Sequence, residues 1–133
     1  MQTFSFKALV FLTIGISIHA RAFHCPTEPS TQMEMNDCAA QGYEKVNKEL
    51  NKVYADYRKR LSNTQKLILK DTQLAWIKYR DLACEFESSG AEGGSVRPMV
   101  RNYCLAGKAR VRLNELEQLA SCEEQSEECP AGK

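Results

Sequence analysis

The apolar and polar positions of residues 30–63 follow a helical period. Lysines and acids occupy the outer faces, and the pattern predicts one amphipathic helix. Thr31 and Glu34 have the spacing of a capping box at its start, and Ser62 is predicted to cap the next helix. The predicted buried positions step by three and four: Ala39, Tyr43, Val46, Leu50, Val53, Tyr57 and Leu61.

A second helix is predicted from about Gln65 to Glu87. Residues 88–97, "SSGAEGGSVR", then interrupt the pattern with three glycines and three serines. The buried stripe predicted for this helix contains the only tryptophan of the chain and consists of Ile68, Thr72, Ala75, Trp76, Tyr79, Ala83 and Phe86.

A third helix is predicted to begin near Pro98, which suits a first helical turn, and to end near Ser121. Its apolar positions are Val100, Cys104, Val111, Leu116 and Leu119. Three helices of similar length joined by short or medium loops should pack up, down and up. The predicted fold class is therefore all-α, a disulfide-stapled three-helix up-down-up bundle.

The first 22 residues have the features of a signal peptide. A basic start is followed by "ALVFLTIGIS", which is too short to anchor in a bilayer, and small residues at Ala20 and Ala22 suit cleavage after Ala22. We therefore expect a signal peptide at 1–22, a helical domain at 23–121 and an acidic tail at 122–133. The expected location is periplasmic or secreted, in a Gram-negative-type envelope and without a membrane anchor.

Composition changes this picture in two ways. Without Lys7 and Arg21 the chain has 16 basic and 17 acidic residues, so its net charge of −1 argues against nucleic acid as a partner. All six cysteines follow the signal peptide, and an even count in a small exported chain predicts disulfides.

The expected bundle restricts how the cysteines pair. The end of the second helix and the start of the third meet at one pole, so Cys84–Cys104 is the pairing most strongly favoured. Six cysteines allow fifteen connectivities, and the other two pairings stay open, with Cys25–Cys38 and Cys122–Cys129 as the expected local closures. The chain-entropy model gives a bridged loop of roughly twenty residues about 3 kcal/mol of stabilisation.

Three ordered motifs resemble the LprI-type lysozyme inhibitor domain. The family pattern LNxxY, QxxWxxYRxxxC and CxxxxxxxRxxEL is matched in "ELNKVYADY", "QLAWIKYRDLAC" and "CLAGKARVRLNEL" over roughly residues 34–119. The chain departs from the pattern in Ala109, where many members have Thr, and in lacking a lipidation cysteine. The matching residues are Leu50, Asn51 and Tyr54; Gln73, Trp76, Tyr79, Arg80 and Cys84; and Cys104, Arg112, Glu115 and Leu116.

Structural roles are predicted for these motif residues. Trp76 and Tyr79 are expected in the core, and Asn51 is expected to hydrogen-bond to the second helix near Gln73 or Arg80. The guanidinium groups of Arg80 and Arg112 are expected to tie helices together through carboxylates such as Asp81 or Glu115.

Catalytic, metal and cofactor sites are not expected. Beyond the signal peptide the only histidine is His24, beside the new terminus, and no nucleophile has a plausible base. The carboxylates Glu85, Glu87 and Glu92 surround a glycine-rich loop that offers little fixed geometry. A small hydrolase acting through them is the least favoured reading.

The nineteen residues between Cys84 and Cys104, here called the inter-cysteine segment (residues 85–103), are the candidate functional surface. Loops on rigid scaffolds often bind partners, although a tolerated polar insertion is nearly as plausible. The resemblance implies a lysozyme as partner, whose cleft has two catalytic carboxyl groups. Arg97 or Arg101 is expected to enter that cleft, with Glu85, Glu87, Glu92 and the acidic tail as rim contacts.

The sequence thus predicts a non-enzymatic protein that inhibits lysozyme by occluding its cleft. The main alternative is an interaction or immunity module of the periplasm with a different protein partner.

Overall fold

A computed structural model describes residue 25, residues 27–122 and residues 129–130. It consists of three α-helices, α1 (Gln32–Lys59), α2 (Asn63–Ser88) and α3 (Arg97–Ser121), with one turn of 3-10 helix at Ser89–Ala91. These described residues contain no β-strand. The predicted all-α, disulfide-stapled three-helix bundle is confirmed. The predicted signal peptide and most of the predicted acidic tail lie outside the described residues, so both remain predictions.

The three helices run up, down and up. At one pole Gln32 of α1 lies 3.9 Å from the sulfur of Met99 near the start of α3. At the other pole the guanidinium of Arg60 donates to the carbonyl of Ala120. The start of α1 therefore lies beside the start of α3, and their ends also lie beside each other. Helix α1 is parallel to α3, and α2 is antiparallel to both.

Side-chain caps begin α1 and α2, as predicted. The Thr31 hydroxyl accepts from the Glu34 backbone N–H at 3.2 Å, and the Glu34 carboxylate accepts from the Thr31 N–H at 3.1 Å. Ser62 and Gln65 form the equivalent pair at α2. These bonds satisfy backbone donors that a helix start leaves without partners.

Loss of the Glu34 charge is expected to destabilise α1 in a pH-dependent way. Hydrogen bonds from the Ser30 and Thr31 backbone lower the pKa of Glu34 below its usual 4.5. A lowered folded-state pKa contributes stability above the unfolded value, and this contribution disappears as the pH falls through the folded value. Glu34→Gln should therefore lower the urea midpoint at pH 7, and the difference from wild type should narrow at pH 3.

Glu49→Gln provides the matched control, because Glu49 is exposed in the middle of α1 and makes no ion pair with another described residue. Its midpoint should follow wild type at both pH values. An equal deficit for Glu34→Gln at pH 7 and pH 3 would contradict the role of the ionised cap.

The core lies mainly between α1 and α3. The predicted buried stripe of α1 is largely confirmed. Two of its members, Tyr43 and Val53, are only partly buried and pack against the core cluster. Ala109 is fully buried, and its small side chain suits a close approach of two helices. The buried cluster consists of Val46, Leu50, Tyr57, Leu61, Leu69, Ala109, Leu113 and Leu116.

The stripe predicted for α2 is wrong in its orientation. Ile68, Tyr79 and Phe86 are exposed, as are Thr72 and Ala75, while Trp76 and Ala83 are half-buried. The inner face is shifted by one residue, about 100° around the helix. It contains more polar side chains than an apolar pattern can reveal: Leu69, Gln73, Arg80, Cys84 and Ser88.

The orientation of α3 needs a similar correction. Val111 is exposed, and the neighbouring Arg112 is buried in its place. Leu116 is buried as predicted, whereas Val100, Cys104 and Leu119 are half-buried. In both α2 and α3 the buried arginine finds a partner on another helix, which is what permits a polar side chain inside.

Candidate interaction site

A disulfide fixes both ends of the inter-cysteine segment. Cys84, fully buried near the end of α2, is bonded to Cys104 in the second turn of α3, with their Cα atoms 5.6 Å apart. Cys25–Cys38 ties the residues before α1 to its second turn, and Cys122–Cys129 closes the residues after α3. The structure thus has the three pairings that the sequence favours.

Local hydrogen bonds shape the connection between α2 and α3. The Glu92 N–H donates to the Ser89 carbonyl, and the Gly94 N–H donates to the Ala91 carbonyl, both at 3.0 Å. Gly93 has a φ of +73°, a left-handed conformation that favours glycine. These turns reverse the chain within a few residues.

A side chain of α1 holds this connection from the other side. The Asn36 amide donates to the Ser95 carbonyl at 2.9 Å. The segment is therefore attached to all three helices: by its own ends to α2 and α3, and by this bond to α1. Only residues 89–96 lie between α2 and α3, so the segment is a short braced connection with a helix end on each side rather than a free loop.

Charged side chains of the segment pair mainly with one another. The Arg97 guanidinium contacts the Glu85 carboxylate and lies 3.0 Å from that of Glu92. The Arg101 Nε lies 3.3 Å from the second Glu85 oxygen. Beside them the Lys108 ammonium lies 2.8 Å from Glu87, whose carboxylate accepts a hydrogen bond and raises the pKa of Lys108 above its usual 10.5.

The two candidate arginines differ in availability. The Arg97 side chain is 26% exposed and bridges two carboxylates, so it serves the shape of the segment. The Arg101 side chain is 38% exposed and its only ion pair among the described residues is through Nε. The two terminal nitrogens of Arg101 are therefore the better donors to an external carboxylate.

The candidate carboxylates lie at the exposed surface of the same segment, Glu85 and Glu87 in the last turn of α2 and Glu92 in the connection. The side chains of Glu85, Glu87 and Glu92 are 54%, 50% and 67% exposed. Each is paired with an arginine or lysine on one side and open to solvent on the other. A basic partner would meet partly neutralised carboxylates here, with Glu92 the most accessible.

The motif residues form a separate set that holds α2 against the other helices. Arg112 Nε donates to the Gln73 side chain at 3.1 Å, and Arg112 also contacts Glu115 within α3 at 2.9 Å. Arg80 lies over the rings of Trp76 and Tyr43, 5.2 and 5.6 Å from their centroids. In addition to the disulfide and the ion pairs described above, an arginine–glutamine bond thus links α2 to α3, and a cation–π contact links α2 to α1.

Three expectations for these residues are wrong. Asn51 is exposed, and no hydrogen bond connects it to α2 in the described structure. Tyr79 is exposed and packs under Lys108 instead of in the core. The carboxylate partner of Arg80 is Asp81 on the same helix, and that of Arg112 is likewise intrahelical, so neither pair ties helices together. Leu50 and Leu116 lie in the core, and Tyr54 packs against it.

Sequence reasoning missed the exposed apolar face of α2. Leu82 was absent from the predicted stripe, although it completes a regular step of three and four with Tyr79 and Phe86. That regularity is the signal that could have found the face.

The described part of the chain offers few other kinds of site. It contains no group of three or more His, Cys, Asp or Glu residues placed to hold a metal ion. None of its helices has the length and apolar composition needed to span a bilayer.

Comparison with known proteins gives one family and one relative. The family model described as "Lysozyme inhibitor LprI" matches residues 25–116. An uncharacterized protein of Rhizobium meliloti (strain 1021) is 38% identical over 102 residues, 67% of this chain and 73% of that protein. No solved structure matches significantly.

Proposed function

The chain belongs to the family of the lysozyme inhibitor LprI, and on that premise we propose that it binds a lysozyme and blocks its cleft with the inter-cysteine segment. The observation that carries the proposal is the family match, which extends over residues 25–116 and so includes the whole segment. The protein acts by occlusion, outside the cytoplasm, where disulfides persist.

The rigidity of the segment supports an inhibitory role. A partner-binding loop that is ordered before association loses less conformational entropy on binding. The Cys84–Cys104 disulfide and the Asn36–Ser95 hydrogen bond supply that order here. Pre-organised surfaces of this kind bind with little backbone movement.

The charges of the inter-cysteine segment also support it as the surface that binds lysozyme. A lysozyme cleft has two catalytic carboxyl groups. The open nitrogens of Arg101 can donate charge-assisted hydrogen bonds to one of them, and such bonds strengthen when water is excluded. Glu87 and Glu92 then face the basic rim of the enzyme.

A titration against lysozyme tests the function. The disulfide-intact protein is added in increasing amounts to a C-type and a G-type lysozyme, and clearing of a bacterial suspension is followed by turbidity. Activity should fall in proportion to added protein and reach its minimum at equivalence. Full activity of both enzymes at excess protein would contradict the proposal and favour a different partner. Clearing by the protein alone would favour a hydrolase.

Charge reversal at Arg101 is expected to weaken inhibition. Arg101→Glu removes the donor and adds a charge that repels the cleft carboxylates, so the inhibition constant should rise about 10- to 100-fold. Arg97 is a poorer test, because its replacement frees Glu85 and Glu92 and reshapes the segment. The measurement is the inhibition constant from the turbidity titration, with far-UV circular dichroism as a check on folding.

Arg110→Glu is the matched control, since Arg110 is an exposed arginine of α3 outside the segment. It makes the same charge change and should leave inhibition within about twofold of wild type. Equal inhibition by Arg101→Glu and wild type would refute the assignment of the segment while leaving the family-based function in place.

A further inference from the structure

An apolar stripe runs along the outer face of α2 in solvent. Ile68, Tyr79 and Leu82 are each 61% exposed, and Phe86 is 80% exposed. Thr72 lies in the same row, and its hydroxyl is occupied by a 2.8 Å bond to the Ile68 carbonyl, so it adds no free polar group. The stripe consists of Ile68, Thr72, Ala75, Tyr79, Leu82 and Phe86.

The spacing of the stripe is that of a helix-pairing seam. Its members are separated by four, three, four, three and four residues, so that 68, 75 and 82 and likewise 72, 79 and 86 recur at every seventh residue. A heptad repeat of this kind keeps one face of a helix against a second helix along its length. A globular core needs no such regularity, and here the side of α2 that faces the core is a different one.

The amount of exposed surface is large for a chain of this size. Tyr103 and Val111 of α3 line one surface depression together with Tyr79 of the stripe. With these two residues the stripe leaves about 600 Å² of apolar side chain in solvent, near the upper end for the largest patch of a soluble monomer. A standard interface takes about 800 Å² from each partner. The face is therefore close to what one half of a stable dimer supplies.

Charges around the stripe favour another copy over a lysozyme. Asp71 and Lys78 lie along its open edge, one heptad apart and opposite in charge. When two α2 helices pair in an antiparallel arrangement, Asp71 of one copy can therefore lie near Lys78 of the other. Lys66 and Lys70 flank the same end, and lysines are poor neighbours for a basic enzyme. The exposed carboxylates lie instead on the inter-cysteine segment.

We infer that this chain forms a homodimer through the α2 stripe. The interface is isologous, since the same face supplies both halves. It overlaps the segment proposed to bind lysozyme only at one end, in Phe86 and the neighbouring Tyr103, whereas its centre at Ala75 and Tyr79 lies outside that segment. A substitution at Ala75 and one at Arg101 can therefore separate dimer formation from inhibition.

Sedimentation equilibrium of the disulfide-intact protein tests the inference. Wild type should have twice the chain mass at about 100 µM, as expected for a dissociation constant of micromolar order. Ala75→Glu puts a charge in the centre of the stripe at an exposed position and should give a monomer with unchanged far-UV circular dichroism. Met33→Glu is the control, because it introduces the same charge in place of another exposed apolar side chain, at the start of α1 and outside the stripe. This variant should remain a dimer.

Two results would overturn the inference: a monomeric wild type at that concentration, or an Ala75→Glu variant that stays dimeric. A folded, monomeric Ala75→Glu protein that still inhibits lysozyme would support both surfaces as assigned. Loss of inhibition by a variant that stays dimeric, such as Arg101→Glu, concerns the segment alone.

Discussion

Replacement of Leu116 by alanine is expected to lower the free energy of unfolding by about 3 kcal/mol. Leu116 is 0% exposed, and it lies in the cluster that joins α1 to α3 with Leu50 and Leu113. Truncation removes buried methyl groups and leaves a cavity that a braced bundle cannot easily fill. Urea denaturation at pH 7, followed by circular dichroism, measures the loss.

Val111→Ala is the control for the orientation of α3. Val111 lies on the same helix but is 60% exposed, so its truncation should change the free energy of unfolding by less than about 0.5 kcal/mol. The apolar pattern of the sequence ranks both residues as buried. Equal losses for the two variants would contradict the inner face described for α3.

Removal of the Cys84–Cys104 bridge is expected to lower the free energy of unfolding by about 3 kcal/mol. The bridge closes a separation of 20 residues, and its absence gives the unfolded chain more conformations. The double variant Cys84→Ala/Cys104→Ala should melt about 12–20 °C below wild type. Thermal denaturation followed by circular dichroism measures the shift.

Cys122→Ala/Cys129→Ala gives the comparison, because that bridge closes a separation of only 7 residues and should cost about 2 kcal/mol. If the Cys84–Cys104 bridge braces the bundle, its removal must lower the free energy of unfolding more than removal of Cys122–Cys129. Alkylation and mass spectrometry of protein recovered from the cell envelope should find no free thiol at Cys84 or Cys104. Free thiols at 84 and 104 would remove the basis for a pre-ordered segment.

Helix limits and caps could be predicted because their causes are local. Thr31 with Glu34, and Ser62 with Gln65, lie three residues apart, and each pair acts on its own backbone. The inner face of α1 could also be predicted, since its buried positions are all apolar or aromatic. In these places the neighbours in sequence are the neighbours that decide the structure.

The orientation of α2 could not be predicted because its inner face depends on residues far away in sequence. Gln73 is buried since Arg112, 39 residues later, donates to it. Arg80 is buried since the rings of Tyr43 and Trp76 receive its guanidinium. A rule that places apolar residues inside selects the wrong side of this helix, because its outer side is apolar too.

The candidate site was only partly accessible from the sequence for the same reason. The cysteine spacing indicates a constrained segment, and its charged residues are evident. The bridge from Arg97 to Glu85 and Glu92 is a matter of folded geometry, and it is what distinguishes Arg97 from Arg101. The two arginines are equivalent by residue type, but they differ in the ion pairs that they form in the folded protein.

The single tryptophan gives the molecule an intrinsic optical probe. Trp76 is half-buried near the middle of α2, beneath Arg80 and beside Tyr79 of the apolar stripe, whereas the inter-cysteine segment has no tryptophan. Indole emission depends on the polarity around the ring, so dilution of the protein should shift its fluorescence if the α2 face becomes uncovered. A carboxylate ligand that is bound at Arg101 and too small to reach Trp76 should leave the emission of the indole unchanged.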